Sequence, residues 1–140
     1  MAKTQNYEAF YENEIVQLDS KEVYYFESVD NKVYACCEKK VFEIKQKLYE
    51  LEEIYKQTDF VRISKSMIVN ISKVSKIVPM FNGRLEGVLC NGEKVIITRQ
   101  YVANLKKKLG LLDSKVILCN HKGVNKSFDV DFVTIDILIL

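Results

Sequence analysis

Short stretches rich in valine, isoleucine and aromatic residues recur along the chain, and polar turn residues separate them. Stretches of this length and composition are typical of β-strands, whose side chains alternate between two faces. We therefore predict a mostly β fold built from antiparallel hairpins. The predicted strands are residues 15–18, 22–28, 32–37, 41–44, 74–80, 84–90 and 93–99.

Turn-forming residues mark three of the connections. Asp30-Asn31 suits a tight hairpin turn because both residues tolerate positive φ. Asn82-Gly83 predicts another turn. Asn91-Gly92 lies in the strongest hairpin pattern of the chain, and we predict a type I′ turn there because Asn-Gly meets its demand for positive φ. Pro79 lacks an N–H group, which confines it to an edge strand or a strand end.

Residues 45–58 form the clearest helical pattern. Their apolar members recur at helical spacing and predict one stripe facing a core, made of Leu48, Leu51, Ile54 and Tyr55. The remaining face mixes glutamates with lysines. Carboxylates in a DNA groove would face phosphates, so we interpret this helix as scaffold and not as a recognition helix.

A second, shorter helix is predicted near residue 105. Val102, Leu105 and Leu109 form its apolar stripe, and Gly110 is expected to close it as a C-cap. Three lysines at 106–108 fall in its last turn. They serve either as the cations that a helix C-terminus favours or as contacts to phosphate, and the sequence leaves both readings open.

The stretch at residues 60–70 interleaves short polar side chains with apolar ones and contains no acidic residue. The apolar members can anchor the segment while the polar ones project from it. Arg62 and Lys65 can form charge-assisted bonds with phosphate, and serine or asparagine can bond to phosphate oxygens or base edges. On the pattern alone, an ordinary solvated strand edge is the simpler interpretation.

Charge is unevenly distributed along the chain. Residues 60–108 hold ten Lys or Arg against two Asp or Glu, a net charge of +8. Residues 1–59 hold 8 against 13, a net of −5, and residues 109–140 hold 3 against 4, a net of −1. Such segregation is expected of a surface that meets a polyanion, because each neutralised phosphate releases counterions.

The length of 140 residues favours one domain with tails, and the composition is typical of a soluble globular protein. No stretch is apolar and long enough to span a membrane, and the first residues are not a signal peptide. We therefore expect a cytoplasmic protein with no membrane insertion.

Motifs that carry chemistry are missing from the sequence. The cysteines at positions 36, 37, 90 and 119 show no CxxC spacing, so we expect reduced thiols. Cys119 and His121 lack the two further ligands that a tetrahedral metal site requires. No nucleophile with a base partner, Gly-rich phosphate loop or acidic metal cluster is present. We therefore predict no enzyme, no catalytic residue, no cofactor and no metal site.

Several separated motifs agree in order and spacing with one known family. They are Phe60-x-Arg62-Ile63-x-x-Ser66-x-Ile68-Val69-Asn70, Ile77-x-Pro79, Asn91-Gly92 and Thr98-Arg99-x-Tyr101. Over residues 15–110 the chain resembles the LytTR family of bacterial DNA-binding domains. The resemblance implies an elongated arrangement of three small antiparallel sheets, α+β by content, with one scaffold helix, a short C-terminal helix and no helix-turn-helix. It departs at Ser64, where a His is frequent.

The resemblance also implies a function and candidate contacts. It implies a bacterial transcription regulator that binds duplex DNA sequence-specifically, with loops and strand ends entering successive grooves. Arg99 would lie in a loop that enters a major groove, where its planar fork could bond guanine O6 and N7 together. An ion pair between Arg99 and an acid near the helix start is the alternative. The candidate DNA-binding residues are Asn31, Lys32, Arg62, Ser64, Lys65, Ser66, Arg84, Arg99 and Gln100.

We divide the chain into a lead-in at 1–12, a LytTR-like domain at 13–110 and an extension of unknown role at 111–140. The 12 residues before the DNA-binding domain are too few for a receiver domain, so we expect the chain to be either the output half of a response regulator or a stand-alone regulator controlled by an upstream signalling protein. A homodimer on direct repeat sites is a further expected partnership. The apolar end at 137–140 is expected to pack on its own domain or on a second copy.

Two other functions compete with DNA binding. A protein-interaction module would bind its partner through β edges and the apolar C-terminal tail, with lysine and arginine serving only solubility. A single-stranded RNA binder would stack bases on aromatic residues of the strands, although aromatic residues there are more often core. The aromatic residues in question are Tyr24, Tyr25, Phe26 and Tyr34.

Overall fold

The structure, a computed structural model, describes residues 6–11, 14–111, 115–119 and 125–129. These residues form twelve β-strands and two α-helices. The strand pairs whose register is described run antiparallel. The predicted mostly β class with two helices is therefore confirmed.

The elements follow the chain in this order: β1 Asn6–Tyr11, β2 Glu14–Asp19, β3 Val23–Val29, β4 Lys32–Cys37, β5 Val41–Ile44, α1 Leu48–Ile54, β6 Phe60–Ser64, β7 Met67–Asn70, β8 Val74–Pro79, β9 Leu85–Leu89, β10 Lys94–Ile97, α2 Val102–Leu111, β11 Lys115–Cys119 and β12 Asn125–Asp129. Short 3-10 turns lie at Ser20–Glu22, Ile71–Lys73, Phe81–Gly83 and Arg99–Tyr101.

The described residues divide into two compact units. The N-terminal unit holds the residues up to Val61 together with Lys65–Asn70. The C-terminal unit holds Arg62–Ser64 and the residues from Ile71 onwards. Strand β6 thus contributes its first two residues to one unit and its last three to the other.

The largest sheet has seven strands in the order β2-β1-β5-β4-β3-β7-β6. The turn between β3 and β4 is the predicted Asp30-Asn31, with φ of 52° and 67° at these two residues. Positive φ at both central positions is what a type I′ hairpin turn requires. Residues 6–11, which the sequence left without an element, form β1, and Ala9 on this strand is fully buried. Strand β1 pairs with both β2 and β5.

Three aromatic rings form the centre of the N-terminal core. The ring of Tyr55 lies with its centroid 4.6 Å from that of Phe60 and 5.9 Å from that of Phe26. Leu48 and Leu51 of α1 are buried beside them. Burial of such side chains supplies most of the stability of a domain core. Tyr24 is also buried, so neither Tyr24 nor Phe26 is available to stack on a base.

Helix α1 is shorter than the predicted 45–58. The backbone N–H of Lys47 donates to Glu50 Oε1 at 2.9 Å and caps its start. Tyr55 leaves helical geometry with φ −104° and ψ 11°, and the Thr58 hydroxyl donates to its carbonyl at 2.7 Å. Ile54, predicted to be part of the apolar stripe, is 40% exposed, because helical geometry places it at the edge of the stripe that Leu48, Leu51 and Tyr55 form.

The sheet of the C-terminal unit has the order β10-β9-β8. Pro79 is the last residue of β8, an edge strand, as predicted.

The predicted type I′ turn at Asn91-Gly92 is wrong, because among these residues only Gly92 has positive φ. The Leu89 carbonyl accepts from Gly92 N at 2.9 Å, and Leu89 N donates to the Glu93 carbonyl at 2.8 Å. This is a three-residue loop of the type I turn and bulge kind.

Helix α2 buries the predicted stripe, since Val102, Leu105 and Leu109 are each at most 2% exposed. The prediction that Gly110 caps it is wrong, because the helix continues to Leu111. Lys108 is buried and Lys107 is exposed. Neither helix in the described part of the chain is long and apolar enough to cross a membrane.

The cysteines do not all match the prediction of reduced thiols. Cys36 and Cys37 are not in a disulfide, whereas Cys90 is disulfide-bonded. Sequence spacing did not reveal this bond because it depends on tertiary placement.

Strands β11 and β12 form a two-stranded sheet, and β11 contacts β8 and the turn Ile71–Lys73. His121 and the apolar end at 137–140 lie outside the described residues.

Candidate nucleic-acid interface

In the N-terminal unit, two hairpin turns lie at the same end of the sheet. Strand β3 pairs with β4 on one side and with β7 on the other. At the end of β3, Val29 pairs with Lys32, and Ser28 N donates to the Ser66 carbonyl at 2.8 Å. The turn after β3 and the turn before β7 are therefore neighbours.

Four of the predicted contact residues lie in these two turns or directly beside them. Asn31 lies in the first turn and Lys32 begins β4 directly after it, Lys65 and Ser66 form the second turn, and all four are exposed. We call these four residues the turn pair. Their side chains are short polar groups and primary amines, which suit bonds to phosphate oxygens.

A buried hydrogen bond holds the strand beneath the second turn. Asn70, the last residue of β7, is 3% exposed and donates from Nδ2 to the Val23 carbonyl at 2.9 Å. Such a bond satisfies a buried polar group and fixes the strand in place. Asn70 belongs to the polar stretch at 60–70, but its side chain is buried and bonds to the backbone of β3, so it does not project from the surface.

In the C-terminal unit, hydrogen bonds join the last residues of β6 to Thr98, the residue that follows β10. Both the N–H and the hydroxyl of Thr98 donate to the Ile63 carbonyl, at 3.0 Å and 3.4 Å. Thr98 directly precedes Arg99 and Gln100, and Ile63 lies between Arg62 and Ser64. The bond therefore brings these two polar segments together although 35 residues separate the bonded positions.

The turn Phe81–Gly83 lies against the side chain of Arg99. A Cβ atom at Gly83 would lie 3.3 Å from Arg99 Cγ and 3.5 Å from its Cδ. Gly83 also has φ of 73°, which L side chains rarely adopt. The positive φ favours glycine at this position, and the close approach places the stem of Arg99 beside the residue that precedes Arg84.

We call Arg62, Ser64, Arg84, Arg99 and Gln100 the arginine cluster. Arg99 and Gln100 are exposed, while the other three are half-buried. Arg62 Nε donates to the Ser64 carbonyl at 2.7 Å, which holds its guanidinium along β6. Within the described part of the chain, Arg84 Nε is buried and has no hydrogen-bond partner.

Two arginines of the cluster have no carboxylate partner within the described residues. No acidic residue occupies the first turn of α2 or of the 3-10 turn before it. Among the residues that the structure describes, no ion pair is found for Arg84 or Arg99, whereas in the N-terminal unit Lys56 pairs with Glu53 at 2.9 Å. The alternative reading of Arg99, an ion pair near the helix start, is therefore not observed.

The two groups differ in what they can do chemically. A guanidinium offers a rigid planar fork that can bond two acceptors at once, as guanine O6 and N7 present them. The turn pair offers single donors on exposed turns, which position a protein on phosphates without reading sequence. All nine predicted contact residues fall into one group or the other.

Sequence reasoning missed three residues of the C-terminal unit. Thr98 holds the cluster together, Gly83 makes room for Arg99, and Phe81 is 89% exposed in the same turn. Phe81 could have been noticed in the sequence, because an aromatic residue directly precedes an Asn-Gly turn, where polar residues are usual. The contacts of Thr98 and Gly83 depend on distant segments and left no local pattern.

A family model described as the LytTr DNA-binding domain matches residues 13–110. The chain is similar to the sensory transduction protein LytT of Enterococcus faecalis, with 30% identity over 100 residues that cover 71% of this chain and 41% of that protein. The LytT protein of Bacillus cereus is 32% identical over 98 residues, covering 70% of this chain and 40% of that protein. The chain thus spans about two fifths of the length of these LytT proteins.

Two further comparisons cover more of the related protein. An HTH-type transcriptional regulator of Staphylococcus aureus is 30% identical over 102 residues, covering 73% of this chain and 69% of that protein. The solved structure of the LytTr DNA-binding domain of a Bacillus cereus protein, described as a methyl-accepting/DNA response regulator, superposes with a TM-score of 0.71 at 26% identity. That match covers 78% of this chain and 99% of the solved chain.

Proposed function

Because this chain belongs to the LytTR family of DNA-binding domains, we propose that it binds duplex DNA sequence-specifically as a bacterial transcription regulator. The observation that carries this proposal is the arginine cluster. Its three guanidiniums come from separate segments, and no ion pair is found for Arg84 or Arg99 within the described residues. Arginines gathered in this way favour a polyanionic partner.

We assign different tasks to the two groups of residues. The turn pair contacts backbone phosphates and sets the position of the protein on the duplex. Arg99 reads a base pair in the major groove, and Arg62, Arg84, Ser64 and Gln100 contact the adjacent backbone or base edges. Loops and strand ends thus enter successive grooves, and the balanced face of α1 stays away from the DNA.

The proposal includes where the chain binds DNA and what controls the binding. A transcription regulator works where the chromosome is, so we expect the chain in the cytoplasm. Relatives named sensory transduction proteins support an upstream signalling protein that controls binding, and direct repeat sites would bring two copies together. We ascribe to the chain no catalytic role and no cofactor.

The proposal is tested by selecting ligands from a random duplex library with the wild-type chain and titrating salt on the selected duplex. If about six phosphates are neutralised, log affinity should fall against log salt with a slope near −5. No binding to any duplex at about 50 mM salt, together with tight binding to RNA or to a protein, would reverse the assignment.

A protein-interaction module is the second candidate, and one observation favours it. Strand β2 is an edge of the seven-stranded sheet, and Ile15 on it is 63% exposed. Exposed edge strands can pair with an extended segment of a partner. An Ile15→Lys variant separates the two functions, because DNA binding should survive this change and edge pairing should not.

A further inference from the structure

Phe81 is the most exposed large apolar side chain that the structure describes, at 89%. It follows β8 and opens the turn Phe81–Gly83. A phenylalanine left in water forgoes the hydrophobic stabilisation that its burial would give. The exposed ring therefore contributes little to this fold.

The turn that presents the ring is firmly held. Met80 N donates to the Arg84 carbonyl at 2.9 Å, which closes the base of the turn. Asn82 and Gly83 both have positive φ, 64° and 73°. Gly83 also lies against the stem of Arg99. Phe81 is thus displayed on a rigid support that is packed directly on the arginine cluster.

Exposed apolar residues are common singly, and the same chain offers an example for comparison. Tyr49 on α1 is 71% exposed. Its neighbours along the chain include Glu50, Glu52 and Glu53. Phe81 has a different setting, because no acidic residue occurs between residues 60 and 85 and the turn adjoins Arg84 and Arg99.

We propose that Phe81 is a DNA contact, and that its ring enters a groove of the duplex and packs against the bases next to the contact made by Arg99. This inference rests on the proposed function. Apolar side chains in grooves touch the thymine methyl group or wedge between base steps, and phenylalanine is used for both. The flanking arginines favour a polyanion over an apolar protein surface as the occupant.

An apolar contact has a distinct thermodynamic signature. It strengthens binding without releasing counterions, so its loss lowers affinity and leaves the salt slope unchanged. On the duplex that the wild-type chain selects from a random library, Phe81→Ala should weaken binding about tenfold, the loss typical of one base–aromatic contact. Phe81→Leu should lose less, and the control Tyr49→Ala should bind as the wild type does. Since the ring is exposed, Phe81→Ala should melt at the wild-type temperature.

A fluorescence experiment tests the contact directly. The chain contains no tryptophan, so Phe81→Trp and the control Tyr49→Trp each place a single reporter. Addition of the selected duplex should quench or shift the emission at position 81 and leave that at position 49 unchanged.

The outcomes separate this inference from the proposed function. If the wild-type chain binds no duplex, both are wrong. If the wild type binds DNA but Phe81→Ala binds equally well, or the tryptophan at position 81 does not respond, the inference alone is wrong. Loss of self-association in Phe81→Ala with unchanged DNA affinity would assign the ring to a protein interface and would also overturn it.

Discussion

The turn pair and the arginine cluster are both basic groups of the same chain, but they are built in different ways. The turn pair follows from hairpin register, since β3 pairs with both β4 and β7 and so brings two adjacent turns together. The arginine cluster joins segments at 62–64, 81–84 and 98–100 through a backbone bond and a glycine contact. Each turn of the turn pair is locally encoded, whereas the meeting of the two turns, like the arginine cluster, depends on contacts between distant segments.

This difference bears on specificity. Side chains at exposed turns suit phosphate contacts, which tolerate small shifts. A guanidinium reads a base through its planar fork, and the stem of Arg99 lies close to Gly83. We therefore expect the arginine cluster to decide which sequence is bound and the turn pair to decide how tightly any duplex is bound.

The largest effect on DNA recognition is expected from Arg99→Ala. It should cost about 1 to 3 kcal/mol on the selected duplex and relax preference at one base position, because a bidentate contact with guanine is lost. Arg99→Lys keeps the charge but not the fork, so it should restore affinity for random duplexes and not the preference. Both are measured by competition binding against duplexes changed at single positions. Equal losses on selected and random DNA would show that Arg99 does not read bases.

Gly83→Ala is expected to have the second-largest effect on DNA recognition, because it strains the turn and pushes on the side chain of Arg99. An alanine at φ of 73° is strained, and its Cβ would approach Arg99 Cγ to 3.3 Å. We expect a loss of about 1 kcal/mol in unfolding free energy and a loss of sequence preference.

Gly92→Ala is the matched control for this change. Gly92 has φ of 91°, and a Cβ atom added there would meet nothing within 4 Å. This variant should destabilise the chain similarly in chemical denaturation and keep the wild-type sequence preference. If both variants lost the preference equally, the contact with Arg99 would not matter.

Lys65→Ala should weaken binding to all sequences alike. Removing one phosphate contact should reduce the magnitude of the salt slope by about 0.9. Lys56→Ala is the control, since Lys56 pairs with Glu53 of helix α1. This variant should leave the salt slope unchanged. A change in base preference in Lys65→Ala would contradict the division between the two groups.

The smallest effect is expected from Asn31→Gly. Glycine accepts the φ of 67° that Asn31 adopts, so the turn and the melting temperature should be kept while one polar contact is lost. Affinity measured by fluorescence anisotropy should fall by about 0.5 to 1 kcal/mol. Unchanged affinity would remove Asn31 from the turn pair.

The sequence predicted what depends on local pattern, including the strand alternation, the Asp30-Asn31 turn and the apolar stripe of α2. It misplaced type I′ geometry at Asn91-Gly92, because that loop has three residues and, of this pair, only Gly92 has positive φ. The end of α1 and the disulfide at Cys90 depend on tertiary contacts. The nine candidate residues came from the resemblance, and the packing that assembles them could not be derived from spacing.

The most direct test is to record backbone amide NMR spectra of the full chain while the selected duplex is added. The turn pair and the arginine cluster should show the largest shift changes, at residues 30–32, 62–66, 81–84 and 99–101. Helix α1 at Leu48–Ile54 should remain unperturbed, since its glutamates repel phosphate. Shift changes centred on α1 or on the β2 edge, with both groups unaffected, would contradict DNA binding through these turns and arginines.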